Sequence, residues 1–220
     1  MFVRLWMTTE LITIGPEQSV VDAHKSMLEN RIRRILVVDT AGALVGIVSQ
    51  RDVLNLLPSA LDGSSAGTSS LAGSTKVGDI MTCAPMCVNP LTPLETVAQL
   101  MRQHKIGGMP VVDDNEALVG IITESDIFSA FMEVLGAGAD GARIEMSISK
   151  DAQAFYKVMD IFKRYDIFVQ AITVHHDFGE NKRLLTIRVR GEDLDAMIDA
   201  LRRSGSQINR IQLGTEQMES

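Results

Sequence analysis

Cysteine, aromatic residues and long apolar runs are all scarce in this sequence, and each scarcity excludes a class of protein. Two cysteines among 220 residues cannot form a disulfide framework. No run of eighteen uncharged apolar residues is present, which argues against a membrane span. Only 5% of the residues are aromatic while twelve are methionine, so aliphatic and methionine side chains must fill the interior. The composition, 45% hydrophobic and 22% charged, is that of a globular chain with one to three domains.

Basic residues are also scarce, and their distribution is uneven. The net charge of −7 argues against a nucleic acid or an anionic membrane surface as partner. Residues 1–142 contain nine Lys and Arg against sixteen Asp and Glu, whereas residues 143–220 contain twelve of each. Met1–Met7 lacks the apolar segment and cleavage site of a signal peptide, so we expect a cytoplasmic protein. No Cys and His spacing suggests a metal site.

An internal duplication organises the first two thirds of the chain. Residues 3–57 align with residues 77–131 at an offset of 74, without a gap and with fifteen identities in fifty-five pairs. The identities concentrate around two blocks, Val37–Asp39 with Val111–Asp113 and Ala43–Ile47 with Ala117–Ile121. Such clustering indicates two copies of one structural unit.

Each copy predicts the element order β-α-β-β-α. A short strand at Thr13-Ile14, or at Cys87-Val88 in the second copy, precedes a proline turn and an amphipathic helix; two β-branched runs and a final helix follow. About 55 residues bury little surface alone. We therefore expect the copies, residues 1–57 and 77–138, to pack together, sheet against sheet. Residues 58–76 are rich in Gly, Ser, Thr and Ala and predict a flexible linker.

Residues 143–215 predict a different unit. An alternating apolar strand comes first, then a helix over residues 152–165 and two strands at about 167–174 and 184–190. A second helix closed by Gly205 and a last strand complete the order β-α-β-β-α-β, the ferredoxin-like arrangement. The predicted fold class is therefore α+β in both parts of the chain.

The residues best placed for chemistry lie where the second β-run of each copy meets the following helix. Both junctions place a hydroxyl three positions before an aspartate, Ser49 with Asp52 and Thr123 with Asp126. This spacing is typical of a helix capping box. It also suits a phosphorylated nucleoside, because a helix N-terminus attracts phosphate and a carboxylate accepts ribose hydroxyls. No residue set combines a nucleophile or base with a charge stabiliser, so we do not expect an enzyme.

These motifs resemble a tandem pair of cystathionine β-synthase (CBS) domains, known as a Bateman module. The resemblance rests on the Met-Thr pair that opens each copy, the Val-Val-Asp block and the Gly-x-x-hydroxyl-x-x-Asp junction, and it covers residues 3–131. Members of this family bind adenosine-containing ligands in clefts between the paired repeats. The hydroxyl and aspartate of one repeat take phosphate and ribose, and apolar residues of the other repeat surround the base.

Carried over to this sequence, the resemblance implies two unequal clefts. The tighter cleft would consist of Arg34, Ile47, Ser49, Asp52, Met86 and Ile106, and the weaker cleft of Ile12, Ile32, Ile121, Thr123 and Asp126. The position five residues before the Val-Val-Asp aspartate points toward the phosphates in this family, and it holds Arg34 in the first copy but Gly108 in the second. The implied ligands are AMP, ADP or ATP, with S-adenosylmethionine and NADH as further candidates and no metal.

Residues 143–213 are similar to an ACT domain, a small regulatory module that dimerises and binds amino acids. The Gly or Pro usual in its first turn is absent from residues 149–153, which favours dimerisation. The complete layout resembles the AcuB-type proteins of acetoin utilisation. We therefore expect a homodimer that senses an adenine nucleotide and regulates an unidentified partner protein. Two alternatives stay open, a structural dimerisation adaptor with empty clefts and an amino-acid-responsive regulator that acts through the ACT-like unit.

Overall fold

The computed structural model describes residues 1–56, 74–138, 140–175 and 182–213. The chain divides into two compact units, Met1–Phe128 and Ser129–Ser220. Most of the predicted linker and the end of the predicted C-terminal unit lie outside the described residues. No helix in the described part of the chain has the length and apolar character needed to cross a bilayer.

The first repeat has the predicted β-α-β-β-α order. Its elements are β1 (Thr13–Ile14), α1 (Val20–Glu29), β2 (Arg34–Val38), β3 (Leu44–Ser49) and α2 (Gln50–Leu54). The α1 helix begins at a capping box formed by Ser19 and Asp22, and it buries one face. Strand β2 pairs parallel with β1 and antiparallel with β3, and the second register places Arg34 directly opposite Ser49. Two residues predicted for one cleft are therefore cross-strand neighbours.

The second repeat keeps the two helices and the last two strands of this order but loses most of the strand equivalent to β1. Its elements are β4 (Thr82–Cys83), α3 (Leu94–His104), β5 (Gly108–Val112), β6 (Leu118–Thr123) and α4 (Glu124–Val134). The strand predicted at Cys87-Val88 is reduced to one parallel bridge, Val88 with Val111. In the first repeat a further bridge joins Thr13 to Leu36. The counterpart of Leu36 is Pro110, which has no N–H to donate, so that bridge cannot form here.

The two repeats exchange their opening segments, which the sequence pattern does not predict. Strand β4 opens the second repeat but pairs with β3 of the first, completing a sheet with the order β1-β2-β3-β4. In the opposite direction, Thr8 bridges Ile121 on β6 through hydrogen bonds of 2.9 and 3.0 Å. Val77 is likewise buried in the core of the first repeat. The two repeats therefore interlock within the first unit.

A methionine and a glycine stabilise each half of this exchange. A Cβ added to Gly46 on β3 would lie 2.5 Å from Sδ of Met81, and one added to Gly120 on β6 would lie 2.8 Å from Sδ of Met7. A side-chain carbon at either position would overlap the sulfur, so only glycine lets the methionine of the other repeat pack this closely. This contact explains why both copies keep methionine and glycine at these positions.

The described residues of the second unit from Ala142 onward form six elements in the order predicted from the sequence. They are β7 (Ala142–Ser149), α5 (Ala152–Arg164), β8 (Phe168–His175), β9 (Lys182–Arg190), α6 (Leu194–Arg203) and β10 (Gln207–Leu213). The strands form one antiparallel sheet with the order β10-β7-β9-β8. Alternate residues of β7 are buried in a core with Phe162 of α5 and Met197 of α6. Residues 176–181, between β8 and β9, lie outside the described residues.

Candidate functional site

A cavity of about 580 Å³ lies between the two repeats, at the ends of β2 and β3; we call it cavity 1. Five of the six residues predicted for the tighter cleft line it, namely Arg34, Ile47, Ser49, Asp52 and Ile106. Ile106 comes from the second repeat and the other four come from the first. The volume falls within the range of roughly 300–1,000 Å³ that small-molecule sites occupy. The fold therefore collects these predicted residues around a space large enough for a ligand.

Ser49 and Asp52 form a capping box at the start of α2. Oδ2 of Asp52 accepts hydrogen bonds from the Ser49 N–H at 2.9 Å and from the Ser49 hydroxyl at 2.6 Å. The Asp52 N–H donates to the Ser49 hydroxyl at 3.3 Å, and the Gln50 N–H donates to the Arg33 carbonyl at 2.8 Å. Two of the first three N–H groups of α2 are therefore already satisfied. The end of α2 therefore offers few free N–H groups to a ligand, and the polar contacts available in this cavity come mainly from side chains.

The Arg34 side chain lies against the backbone of Gly107 and Gly108. A Cβ at Gly107 would overlap Nη2 of Arg34, and a Cβ at Gly108 would lie 2.8 Å from Cδ of Arg34. A carboxylate oxygen of Glu124 lies 2.5 Å from the same Gly107 Cβ position, so the two side chains meet over Gly107. Burial lowers the pKa of Arg34, and Glu124 acts in the opposite direction. The two glycines thus create the space that the guanidinium occupies.

Positive charge is concentrated around cavity 1. Four basic residues line it, Arg33, Arg34, Arg51 and Lys105, against two acidic residues, Asp52 and Glu124. Residues 1–142 contain nine basic and sixteen acidic residues. Almost half of the basic residues in this part of the chain therefore border one cavity. Guanidinium and ammonium groups form charge-assisted hydrogen bonds with phosphate. Cavity 1 is therefore suited to an anionic ligand.

A second cavity of about 240 Å³, cavity 2, lies at the equivalent junction of the other repeat. All five residues predicted for the weaker cleft line it, namely Ile12, Ile32, Ile121, Thr123 and Asp126. Oδ2 of Asp126 accepts from the Thr123 N–H at 2.8 Å and from its hydroxyl at 2.7 Å, as in the first repeat. The volume of cavity 2 is below the usual range for a ligand site. The two cavities thus share one motif but differ more than twofold in volume.

Two predicted assignments differ in the structure. Arg34, assigned to the tighter cleft alone, lines both cavities. Met86 is not among the residues lining cavity 1, and it is 39% exposed. The reason lies in the backbone after β4, where Ala84 has a φ of +45° and redirects the chain, whereas its counterpart Glu10 has no positive φ. Thr82, which pairs with Ile47 across the sheet, lines cavity 1 instead.

Several lining residues are not among the predictions from the sequence. Gln50 and Arg51 lie between the hydroxyl and the aspartate of the first motif, and Ser125 lies between those of the second. The motif itself could therefore have pointed to them. Lys105 is the counterpart of Arg31, which lines cavity 2, and the duplication therefore offered a signal for it. Thr82 had no such signal, because its position depends on the exchange of β4 between the repeats.

Neither cysteine belongs to a metal centre in the described structure. Cys83 is exposed and Cys87 is partly buried, and both are free thiols. Burial raises the pKa of the Cys87 thiol. Within the described ranges, no group of three or more His, Cys, Asp and Glu side chains is arranged to hold a metal ion.

Sequence comparison identifies a family for the paired repeats. A model of the CBS domain matches residues 3–59 and 77–133, which together make up about half of the chain. The chain is also 34% identical over 133 residues to the CBS domain-containing protein YhcV of Bacillus subtilis. That match covers 60% of this chain and 87% of YhcV.

Solved structures are similar over the same share of the chain. The protein CBSX2 of Arabidopsis thaliana, solved in complex with AMP, is 32% identical with a TM-score of 0.51 and covers 60% of this chain and 97% of that one. A putative acetoin utilization protein, AcuB of Vibrio cholerae, is 34% identical with a TM-score of 0.51 and covers 62% of this chain and 93% of that one. The family model ends at residue 133, so the shown relationship concerns the paired repeats.

Proposed function

The chain belongs to the CBS-domain family, and from this premise we propose that its paired repeats sense an adenine nucleotide (AMP, ADP or ATP) and transmit its binding to a partner protein. Proteins of this kind are regulatory, and CBSX2, a relative in structure, was solved with AMP bound. The proposal assigns the chain a binding role without catalysis.

The observation that carries this proposal is the composition of cavity 1. It combines four cationic side chains with the Ser49–Asp52 pair and two apolar side chains, Ile47 and Ile106, contributed by opposite repeats. A nucleotide requires these three environments, because it has an anionic phosphate, a ribose with vicinal hydroxyls and a flat apolar base. An adaptor with permanently empty clefts has no need to gather basic residues in an acidic unit.

Each group then has one role in cavity 1. Arg34 donates to phosphate through its guanidinium. Asp52 accepts from the ribose hydroxyls through Oδ1, an atom without a partner among the described hydrogen bonds. Ile47 and Ile106 surround the base. In cavity 2, Thr123 and Asp126 hold the equivalent positions and give a weaker site.

Isothermal titration calorimetry of the full chain tests this function. We expect AMP, ADP or ATP to bind, and Arg34→Ala to weaken that binding roughly ten- to a hundredfold, the effect of losing a charge-assisted contact. Arg102→Ala is the matched control, since Arg102 on α3 lines neither cavity. S-adenosylmethionine and NADH belong in the same series. If no adenosine compound binds, the sensor proposal is wrong and the adaptor alternative replaces it.

For the second unit we propose an ACT-like fold that holds two copies of the chain together. Its β-α-β-β-α-β order and its β10-β7-β9-β8 sheet support this assignment. A sheet with exposed edge strands and helices packed on one face favours association with a second copy. Light scattering should give twice the 24.0 kDa chain mass at micromolar concentration, and a monomer mass would contradict the dimer.

One observation favours the amino-acid-responsive alternative. A cavity of about 400 Å³ at the turn between β7 and α5 is lined by Asp151, Lys157 and Lys182 together with several serines. Groups of both signs suit the ammonium and carboxylate of an amino acid. Titration with the twenty amino acids tests this alternative. The similarity to AcuB makes acetoin utilisation the metabolic context to examine first, by measuring growth on acetoin after deletion of the gene.

A further inference from the structure

The two cavities of the first unit are separated by a shared group of residues. Arg33, Arg34 and Ser125 line both cavities, and Nη2 of Arg33 donates to the Ser125 hydroxyl at 3.4 Å. A phosphate on either side would therefore meet the same two guanidinium groups. The duplication does not require this arrangement, because the positions equivalent to Arg33 and Arg34 in the second repeat are Gly107 and Gly108.

The Arg34 side chain lies along residues that line cavity 1. Its guanidinium lies over Gly107 beside Glu124, and its Cδ lies over Gly108. Gly107, Gly108 and Glu124 line cavity 1 and are not among the residues lining cavity 2. The charged end of Arg34 therefore lies on the side of cavity 1 in this structure. For the guanidinium to serve cavity 2, the side chain must leave the surface that the two glycines provide.

We propose that Arg34 is a single phosphate ligand shared by the two cavities, so that an anion bound in one lowers the affinity of the other. The proposal rests on the proposed nucleotide-sensing function and adds how its two sites are coupled. A guanidinium is a rigid planar fork, and its bidentate contact with one phosphate leaves few of its N–H groups for a second. Two phosphates on opposite sides of the same residues would also repel each other.

Arg31 and Lys105 limit how much affinity one cavity loses when the other is filled. Arg31 lines only cavity 2 and Lys105 only cavity 1, so each cavity retains a cation of its own when Arg34 is engaged elsewhere. What the second site loses is one charge-assisted contact. We expect the affinity of cavity 2 to decrease roughly ten- to a hundredfold when cavity 1 is filled.

Gly107→Ala tests the sharing directly, because the added methyl group displaces the guanidinium without removing it. The overlapping atoms are the ends of two flexible side chains, the guanidinium of Arg34 and the carboxylate of Glu124, and Gly107 has no positive φ, so the backbone tolerates alanine. We expect cavity 1 to lose affinity and cavity 2 to gain it. Arg34→Ala should weaken cavity 1 and abolish the coupling. Gly15→Ala is the matched control, since its Cβ would make only an ordinary 3.6 Å contact with Gln18.

Methyl NMR of isoleucine-labelled full chain separates the two cavities in one titration. The Ile47 and Ile106 methyl groups report on cavity 1, and those of Ile12 and Ile32 report on cavity 2. With AMP in the wild type, the first pair should shift at lower concentration than the second. In Gly107→Ala the order should become reversed or the two midpoints should converge. Unchanged midpoints in this variant, or coupling that persists in Arg34→Ala, would overturn the shared ligand.

Inorganic pyrophosphate, as a probe without adenosine, distinguishes failure of this inference from failure of the proposed function. If AMP shifts neither pair while pyrophosphate shifts both with the predicted dependence on Gly107, the adenosine function is wrong and the sharing of Arg34 stands. If AMP binds but the titration midpoints of both methyl pairs are the same in Gly107→Ala as in the wild type, the proposed function stands and the sharing of Arg34 is wrong. If pyrophosphate and AMP both shift neither pair, both are wrong.

Discussion

Asp22 and Asp52 form nearly identical capping boxes, and replacing each by alanine separates a capping role from a binding role. Oδ2 of Asp22 accepts from the Ser19 N–H at 3.3 Å and from its hydroxyl at 2.7 Å; the corresponding distances for Asp52 and Ser49 are 2.9 and 2.6 Å. Loss of such a cap costs about 0.5–2 kcal/mol. For a chain of this length Tm changes by roughly 2–4 °C per kcal/mol. Asp22→Ala and Asp52→Ala should therefore lower Tm by similar amounts.

Only Asp52→Ala should weaken nucleotide binding. Asp52 lines cavity 1, whereas Asp22 lines neither cavity. The carboxylate that accepts a ribose hydroxyl contributes about 1.5–3 kcal/mol, so its loss should weaken AMP binding by roughly ten- to a hundredfold. Calorimetry at a temperature well below both Tm values measures the affinity, and circular dichroism measures Tm. Asp52→Asn, which preserves shape and one acceptor, provides a second variant with a smaller expected loss.

Wild-type AMP affinity in both Asp22→Ala and Asp52→Ala would refute this assignment. The Ser49–Asp52 pair would then be a helix cap only, the other interpretation that its spacing allows. A loss of affinity in Asp22→Ala as large as that in Asp52→Ala would show that binding follows the stability of the unit, and the direct contact would again be wrong.

Three further changes have expected outcomes. Gly46→Ala should lower the free energy of unfolding by about 1–3 kcal/mol through overlap with Met81, and adding Met81→Ala should recover part of that loss in a denaturant titration. Removal of residues 143–220 should weaken the proposed dimerisation, as measured by light scattering, and leave AMP affinity within several-fold; loss of AMP binding from a folded truncation would contradict separate units. At neutral pH, Cys83 should react with a thiol reagent before Cys87, because burial raises the pKa of the Cys87 thiol and more of it stays protonated until the pH rises; faster reaction at Cys87 by mass spectrometry would contradict this order.

The duplication predicts most of the fold of the first unit because the same pattern of apolar positions occurs in both copies. Apolar positions shared at an offset of 74, such as Met27 with Met101, mark residues that must be buried in both copies, and both are buried here. Alternation predicts β7 for a similar reason, since one side of a sheet faces a core. These signals are local, and each depends only on a periodicity within one element.

Contacts between distant segments carry no such local signal. The pairing of β4 with β3 joins segments more than thirty residues apart, and neither segment contains a pattern that specifies the other. The displacement of Met86 depends on the positive φ of Ala84, which the sequence does not signal, because a residue before proline usually adopts an extended conformation with negative φ. Family resemblance selected eleven site residues, and the cavities contain ten of them, because the motif residues lie on strands whose register the duplication fixes.

The inequality of the two cavities follows from one divergence within the duplication. A side chain at Gly107 would already overlap Arg34 at its first carbon, so arginine at positions 107 and 108 would compete with Arg33 and Arg34 for the same space. Four guanidinium groups there would also repel one another; burial lowers the pKa of Arg34 most, and the nearby charge of Arg33 acts in the same direction. One repeat can carry the arginine pair only because the other carries glycines. The two copies are complementary at this point for the same reason that they are unequal, and one pair of arginine side chains between the two cavities is the direct result.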